Sequence, residues 1–288
     1  MASPNTISVD KLARLIGRPD CPTIIDVRTE ADYGLDPRLI PGAIRRRFEE
    51  VSCWAPDLAK SDRPAVIVCQ KGLKVSHGVA AWLRHEGRVA EPLEGGSLAW
   101  VAAGLPLVPV AKLPSRDGTG RTVWVTRARP KIDRVACPWL IRRFVDRDAV
   151  FLFVAPSEVR GVAERFGAMP FDIDGEDVLW SHRGEKCTFD VMVEEFGLAT
   201  EPLLRLATIV RGADTARPDL APEVPGLLAA SLGLSRMYPD DLAQLEAGML
   251  LYDAFYRWCR DARDETHNWP AATVPPRSAS REREEVLA

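Results

Sequence analysis

The stretch AVIVCQKGLKVSHGVAAWLR, residues 65–84, sets a β-branched apolar run against a helical pattern and puts one thiol, Cys69, at the junction. A structural cysteine belongs inside a buried strand. Here the strand ends on the thiol, and Gln70, Lys71, Gly72, Leu73 and Lys74 follow at once. If these residues wrap into a tight loop, successive backbone N–H groups converge on the sulfur and the following helix N-terminus adds partial positive charge. Both effects favour a thiolate. Gly72 permits positive φ and close backbone approach, while Lys71 and Lys74 add a cationic field. The expectation is a nucleophile, Cys69, with Gln70, Lys71, Gly72, Leu73, Lys74 and Val75 as the binding loop for a small anionic substrate.

Outward from this loop, the first hundred residues alternate short apolar runs with helical patterns. Ser8 can cap a helix carrying Leu12, Leu15 and Ile16, PTIIDVR reads as a strand, and AVIVC is the next strand before the helix VSHGVAAWLRHEG. Such alternation predicts an α/β fold: a parallel sheet with helices on both faces, whose function gathers at the carboxyl ends of the strands. Cys69 stands at one of those ends. Asp26 and Arg28 are expected to hold the loop rather than transfer protons. His77 and His85 are read as surface or packing residues, and Cys21 and Cys53 as structural or incidental.

Periodicity is lost in VPVAKLPSRDGTGR, residues 108–121. The expected organisation is a first domain over residues 1–110, a linker over 111–121, and a second domain over 122–270. The second domain opens with the strand TVWVT and a basic segment, adds the strand AVFLFV, and becomes almost purely helical beyond Trp180. That makes it α+β and α-rich. Residues 271–288 are polar and biased, and a disordered tail is expected there.

The bulk composition excludes several classes. Lys and Arg (38) nearly balance Asp and Glu (41), which argues against nucleic acid as a partner. No apolar run reaches the roughly 18 residues that suggest a membrane span, and the N-terminal stretch lacks the pattern of a secretory signal. Six scattered cysteines in a chain this long read as reduced thiols rather than staples. A cytoplasmic location without a membrane partner is expected.

Three motifs then carry a resemblance. The loop Cys69-x-x-Gly72-x-Lys74, the segments IIDVRTEADY and LIPGAI (Asp26, Val27, Arg28, Pro41, Gly42, Ala43), and LEGGSLAWVAAGLPL (Gly95, Gly96, Trp100, Gly104, Leu105, Pro106) resemble, in order, the signatures of rhodanese-type sulfurtransferases. Two departures stand out. Leu39 occupies the place of a common His, and Lys74 that of the loop Arg, which keeps the charge but not bidentate oxyanion recognition. The related phosphatases of this fold have five residues between Cys and Arg, whereas four separate Cys69 from Lys74. The smaller ring favours sulfur over phosphate. The resemblance implies a parallel-sheet rhodanese-like domain in which Cys69 takes sulfane sulfur from a donor such as thiosulfate and passes the persulfide to a thiol acceptor. No cofactor is expected. The plainer alternative is an inactive rhodanese fold whose strand-end thiol is only buried.

In the second half, Arg127, Arg129, Lys131 and Arg134 precede Cys137, with Pro138 suited to the first turn of a helix. Such a helix start would seat a tetrahedral dianion, so Arg127, Arg129, Arg134 and Cys137 form a candidate oxyanion site, against the alternative of a solvated basic turn. His182, Cys187 and Asp190 form a candidate metal set, with Asp214 as a distant ligand, but they lack the paired spacing of a zinc site. A structural His, a core Cys and a helix-start Asp are the plainer reading. Cys259 is assigned to the core.

The segments RARPKIDRVACPWLIRRF, DIDGEDVLWSHRGEKCTFD, IVRGADTARPDLAPE and LYDAFYRWCRD with ETHNWP resemble the carboxyl-terminal domain of the chromate-resistance ChrB family, over about Trp124 to Pro270. The resemblance implies a link to chromate sensing and resistance, with chromate as a candidate ligand. Three functions stay open at this point: a sulfurtransferase serving oxyanion stress, a non-catalytic chromate- or redox-sensing regulator, and a metal-dependent enzyme of the second domain.

Overall fold

The computed structural model describes residues 5–59, 62–175, 177–263 and 265. The expected tail at 271–288 lies outside the described residues. In chain order the elements are α1 (Val9–Leu15), β1 (Thr23–Asp26), α2 (Glu30–Leu35), β2 (Arg38–Leu39), β3 (Ala43–Arg45), α3 (Val51–Ala59), β4 (Ala65–Val68), α4 (Lys74–His85), β5 (Ala90–Pro92), α5 (Gly96–Ala102) and β6 (Val108–Pro109). There follow β7 (Val123–Arg127), α6 (Ile132–Phe144), β8 (Val150–Val154), α7 (Val159–Phe166), β9 (Met169–Pro170), α8 (Thr188–Glu195), α9 (Glu201–Asp214), α10 (Val224–Met237) and α11 (Asp241–Arg257). No helix among the described residues is long and apolar enough to cross a membrane.

Ser8 caps α1 as its position demands, accepting from the Lys11 N–H. The first sheet has the order β3-β1-β4-β5 and is parallel throughout, with Ile24 opposite Val66 and Ile25 opposite Ile67. Its strands are apolar on both faces because both are covered. Ile25, Val27 and Ile67 pack with Ala55 of α3 and Val79, Ala80 and Leu83 of α4. On the other face, Ile24, Val66 and Val68 join a core with Leu12 and Trp100.

A second parallel sheet, β8-β7-β9, places Trp124 in that same large core and Val125 in a smaller one with Val159, Ala168 and Ile173. The remaining helices enclose Trp139, whose indole lies against Phe144, Phe189, Tyr252 and Tyr256. Its N–H donates to Asp253, which also accepts two hydrogen bonds from Arg143.

The two sheets are separate, yet one apolar core runs through both halves, from Ile7, Leu12 and Ile16 to Trp139, Phe144 and Tyr256. Backbone joins them as well: Gly42 donates its N–H to the Phe144 carbonyl at 2.6 Å, and Arg147 donates to the Cys21 carbonyl at 2.7 Å. The stretch between the halves is also tied down. β6 pairs antiparallel with β2, and Asp117 folds residues 117–121 into a turn by accepting from the Thr119 and Arg121 N–H groups.

Candidate active site

β4 is buried along its whole length and ends at Val68, so Cys69 emerges at the carboxyl edge of the parallel sheet. Two glycines set the path that follows. Gly72 has φ +66°, and a Cβ there would lie 2.5 Å from the Leu93 carbonyl oxygen. Gly96 has φ +60°, and its Cβ would lie 2.1 Å from the Cys69 carbonyl oxygen. Loop and closing motif therefore meet backbone to backbone, which only glycine permits.

That contact orients the loop. The Ser97 and Leu98 N–H groups, at the start of α5, donate to the carbonyls of Cys69 and Gln70 at 3.0 and 3.1 Å. Ser97 Oγ reaches Gln70 Oε1 at 3.0 Å. With these carbonyls turned to α5, the backbone N–H groups of residues 70–75 donate to no protein acceptor among the described residues. Cys69 itself is only 6% exposed. Its thiol donates to Ser76 Oγ at 3.1 Å, and Ser76 Oγ donates to the Leu73 carbonyl at 3.0 Å.

Cys69, Gln70, Lys71, Leu73, Lys74 and Val75 line a cavity of about 530 Å³, closed on one side by Thr29 and Asp32. Lys71 and Lys74 are exposed at the rim, and the exposed Leu73 supplies an apolar contact. Thr29 and Asp32 escaped the sequence reading. They follow β1, whose parallel pairing with β4 carries the segments after both strands to one edge. Ser76 escaped it too, because a serine inside a helical pattern gives no sign that it faces a thiol.

Asp26 and Arg28 do not brace this loop. They form a buried pair at 2.7 Å, and the Arg28 guanidinium donates to the carbonyls of Asp36 and Arg38. Their work is to fix the approach to β2. His77 sits on α4 and His85 ends it, exposed. Cys21 and Cys259 are buried, and burial pushes each thiol up to about 11, whereas Cys53 is exposed.

The oxyanion seat expected around Cys137 is corrected. α6 begins at Ile132, not at Pro138, so Cys137 lies mid-helix, fully buried. Burial of Ile132, Val135 and Ala136 carries the helix through Pro138 despite the lost hydrogen bond. Burial, then nearby carboxylates, push the Cys137 thiol up, the reverse of an activated thiolate. The arginines diverge. Arg127 and Arg134 reach Asp172 at 3.3 and 3.2 Å. Arg129 turns away, its N–H on the Asp241 carboxylate and its guanidinium on the Ser235 carbonyl at 2.6 Å.

The metal set is corrected likewise. Cys187 and Asp190 cap α8 reciprocally, and Asp190 accepts from Arg211 at 2.7 Å. His182 is elsewhere: its Nε2 stands 3.5 Å from Asp133, 3.5 Å from Asp172 and 3.3 Å from Asp214. Hydrogen bonding to those carboxylates, Asp133 foremost, pushes the imidazole up to about 12, while burial pushes the Asp133 carboxyl up.

A buried strand-end thiol on a glycine-walled loop, at the carboxyl edge of a parallel sheet, is the arrangement of the region that matches the rhodanese-like domain. The chain belongs to the rhodanese-like family: the model of the rhodanese-like domain matches residues 8–103, and that of the ChrB C-terminal domain matches residues 124–259. A sulfurtransferase of Allochromatium vinosum is 30% identical over 106 residues, which cover 36% of this chain and 94% of that protein. Protein ChrB of Cupriavidus metallidurans is 34% identical over 160 residues, 54% of this chain and 47% of that protein. The chain thus spans about half the length of this ChrB relative. Among solved structures, a thiosulfate sulfurtransferase from Pseudomonas aeruginosa is 30% identical, with a TM-score of 0.32, covering 36% of this chain and 19% of that one.

Proposed function

We propose that the protein is a sulfurtransferase in which Cys69 accepts sulfur from thiosulfate or a similar small anionic sulfane donor and delivers it to a thiol. The Cys69 thiolate attacks the outer sulfur of thiosulfate. A Cys69 Sγ–S bond forms, the bond between the two donor sulfurs breaks, and its electron pair leaves on sulfite. A thiolate or cyanide acceptor then takes the terminal sulfur and returns the Cys69 thiolate. The observation that carries this reading is the loop itself: the N–H groups of residues 70–75 donate to no protein acceptor among the described residues, and free donors of this kind beside a thiol suit an anion-binding nest for the persulfide. Ser76 Oγ, 3.1 Å from Sγ, adds a hydroxyl that can turn its proton to the sulfur once the thiol is ionised.

The cavity suits an anion of a few atoms at its floor and a larger acceptor at its mouth, where Lys71 and Lys74 attract charge and Leu73 offers apolar surface. The relation of residues 124–259 to ChrB supports placing this chemistry in chromate and oxyanion resistance. Free cysteines at all described positions support a reducing, cytoplasmic setting.

Intact-mass measurement after incubation with thiosulfate tests the proposal. The parent should gain one sulfur, removable by cyanide, and folded Cys69→Ser should gain none. A parent that stays unmodified and inactive sinks the catalytic reading and favours a sensor that only presents its thiol.

A further inference from the structure

We infer that His182, Asp133 and Asp214, backed by Asp172, form a binding site for one first-row divalent cation of nitrogen and oxygen preference, Mn²⁺, Fe²⁺ or Zn²⁺. The four residues come from separate segments: Asp133 from the first turn of α6, Asp172 just beyond β9, His182 from the loop before α8, and Asp214 from the end of α9. β7 and β9 are parallel, and Arg127, the last residue of β7, reaches Asp172. The cluster therefore occupies the carboxyl edge of the second sheet, where α/β folds place ligands.

Distances fit a shared ion. One ligand atom each from Asp133, His182 and Asp214 lies within 4.8 Å of the others, and Nε2 stands 3.3 to 3.5 Å from three carboxylates. Ligand bonds of about 2.1 Å at tetrahedral angles put ligand atoms about 3.4 Å apart.

An independent observation comes from Asp133. It is 1% exposed, and no lysine or arginine pairs with it among the described residues. Oδ2 accepts from the N–H groups of Thr188 and Phe189 at 2.6 and 3.4 Å and faces His182. Oδ1 of the same carboxylate is buried with no hydrogen-bond partner. A buried carboxylate oxygen left bare is costly. A cation bound through both oxygens of this carboxylate would satisfy Oδ1 together with Oδ2. Asp172 is provided for differently, its Oδ2 on Arg127 and Arg134 and its Oδ1 on Thr188 Oγ1 at 3.0 Å. It is held in place as a fourth donor or as the support of His182.

The donor set selects the ion class. Imidazole with carboxylates and no thiolate disfavours soft ions and suits Mn²⁺, Fe²⁺ or Zn²⁺. His182 and Asp214 are partly exposed, at 42% and 21%, so an ion can enter and keep water as a ligand.

The test uses the full chain, stripped with chelator, since the two halves share one core. Free Mn²⁺ is followed by electron paramagnetic resonance during titration, and Zn²⁺ by calorimetry. One ion should bind per chain, with affinity at least tenfold weaker in Asp214→Asn and in His182→Gln and unchanged in Cys187→Ser and Cys69→Ser. In the parent, Mn²⁺ at low occupancy should broaden the His182 imidazole resonances before those of the other three histidines. Absence of saturable binding of either ion overturns the site. So does equal broadening of all histidines, or parental affinity in both folded rim variants.

Discussion

Gly96→Ala puts the loop geometry to its hardest test. The new Cβ would stand 2.1 Å from the Cys69 carbonyl oxygen, 2.5 Å from the Gly72 nitrogen and 2.9 Å from the Gln70 carbonyl carbon. All three are backbone atoms and none can rotate aside. To restore ordinary contact the two backbones must part by roughly 1 Å, and a displacement of that size at a reacting group costs on the order of 100-fold in turnover. Alanine at positive φ adds about 1 kcal/mol of strain. Two other glycines separate these causes. Gly87 has φ +83°, and a Cβ there would meet nothing within 4 Å, so Gly87→Ala should lose about 1 kcal/mol of stability and no activity. Gly78 lies within α4 with open space and no positive φ, so Gly78→Ala should gain about 0.5–1 kcal/mol. Thiosulfate:cyanide sulfurtransfer and urea unfolding are measured on all three. Parental kcat in Gly96→Ala, or the same loss in Gly87→Ala, refutes the claim that this backbone contact positions Cys69.

Lys74→Ala should raise KM for thiosulfate several-fold, weaken its salt dependence and leave kcat near the parent, because the exposed ammonium attracts the donor before reaction; a collapsed kcat at unchanged KM would place Lys74 in the transition state instead. Glu195 accepts from Arg183 and Lys112, each at 2.6 Å, and the Arg183 hydrogen bond foremost holds its carboxyl below its ordinary 4.5. A depressed carboxyl stabilises the fold above its unfolded value and loses that contribution as pH falls through the folded one, so Glu195→Gln should lower Tm at pH 7 and converge with the parent in acid; a pH-independent difference would show that charge is not the cause.

The sequence made the cysteine loop legible because its chemistry is local. Strand exit, thiol, glycine and lysine fall within six residues, Cys69 to Lys74, and each has a short-range physical meaning. The helices of the second half were legible for a similar reason: the pattern EPLLRLATIVRGAD became α9 from its first residue to its last. What failed were the inferences about side-chain partners from another segment: the brace assigned to Asp26 and Arg28, the seat around Cys137 and the set of His182 with Cys187 and Asp190. Ser76, Thr29 and Asp32 meet Cys69 only through helix rotation and parallel strand pairing. Pro138 has a strong local preference for a helix start, and the buried face of α6 overrode it. The linker looked loose from its Pro, Gly and Ser, yet Asp117 organises it into a turn and one core spans both sides.

The second half shows the same limit at a functional site. Asp133, Asp172, His182 and Asp214 stand in four stretches, and no two share a spacing that marks a metal ligand pair. Of these, His182 and Asp214 were visible as candidates, but Cys187 and Asp190 were joined to them by proximity in sequence. In the fold those two satisfy each other at the start of α8, and the partners of His182 arrive from the first turn of α6 and from the edge of β9. Both parallel sheets thus present reactive side chains at their carboxyl edges, where strand ends leave backbone and helix termini converging. The thiol edge holds a loop whose N–H groups meet no protein acceptor among the described residues, with Lys71 and Lys74 beside it, and suits an anion despite the Asp32 carboxylate on its other side. The carboxylate edge holds a bare buried oxygen and suits a cation. Opposite charge preference at two edges of one continuous core makes the sites separable by experiment: loading one with thiosulfate and the other with Mn²⁺ should proceed independently, with Cys69→Ser removing only the first and Asp214→Asn only the second.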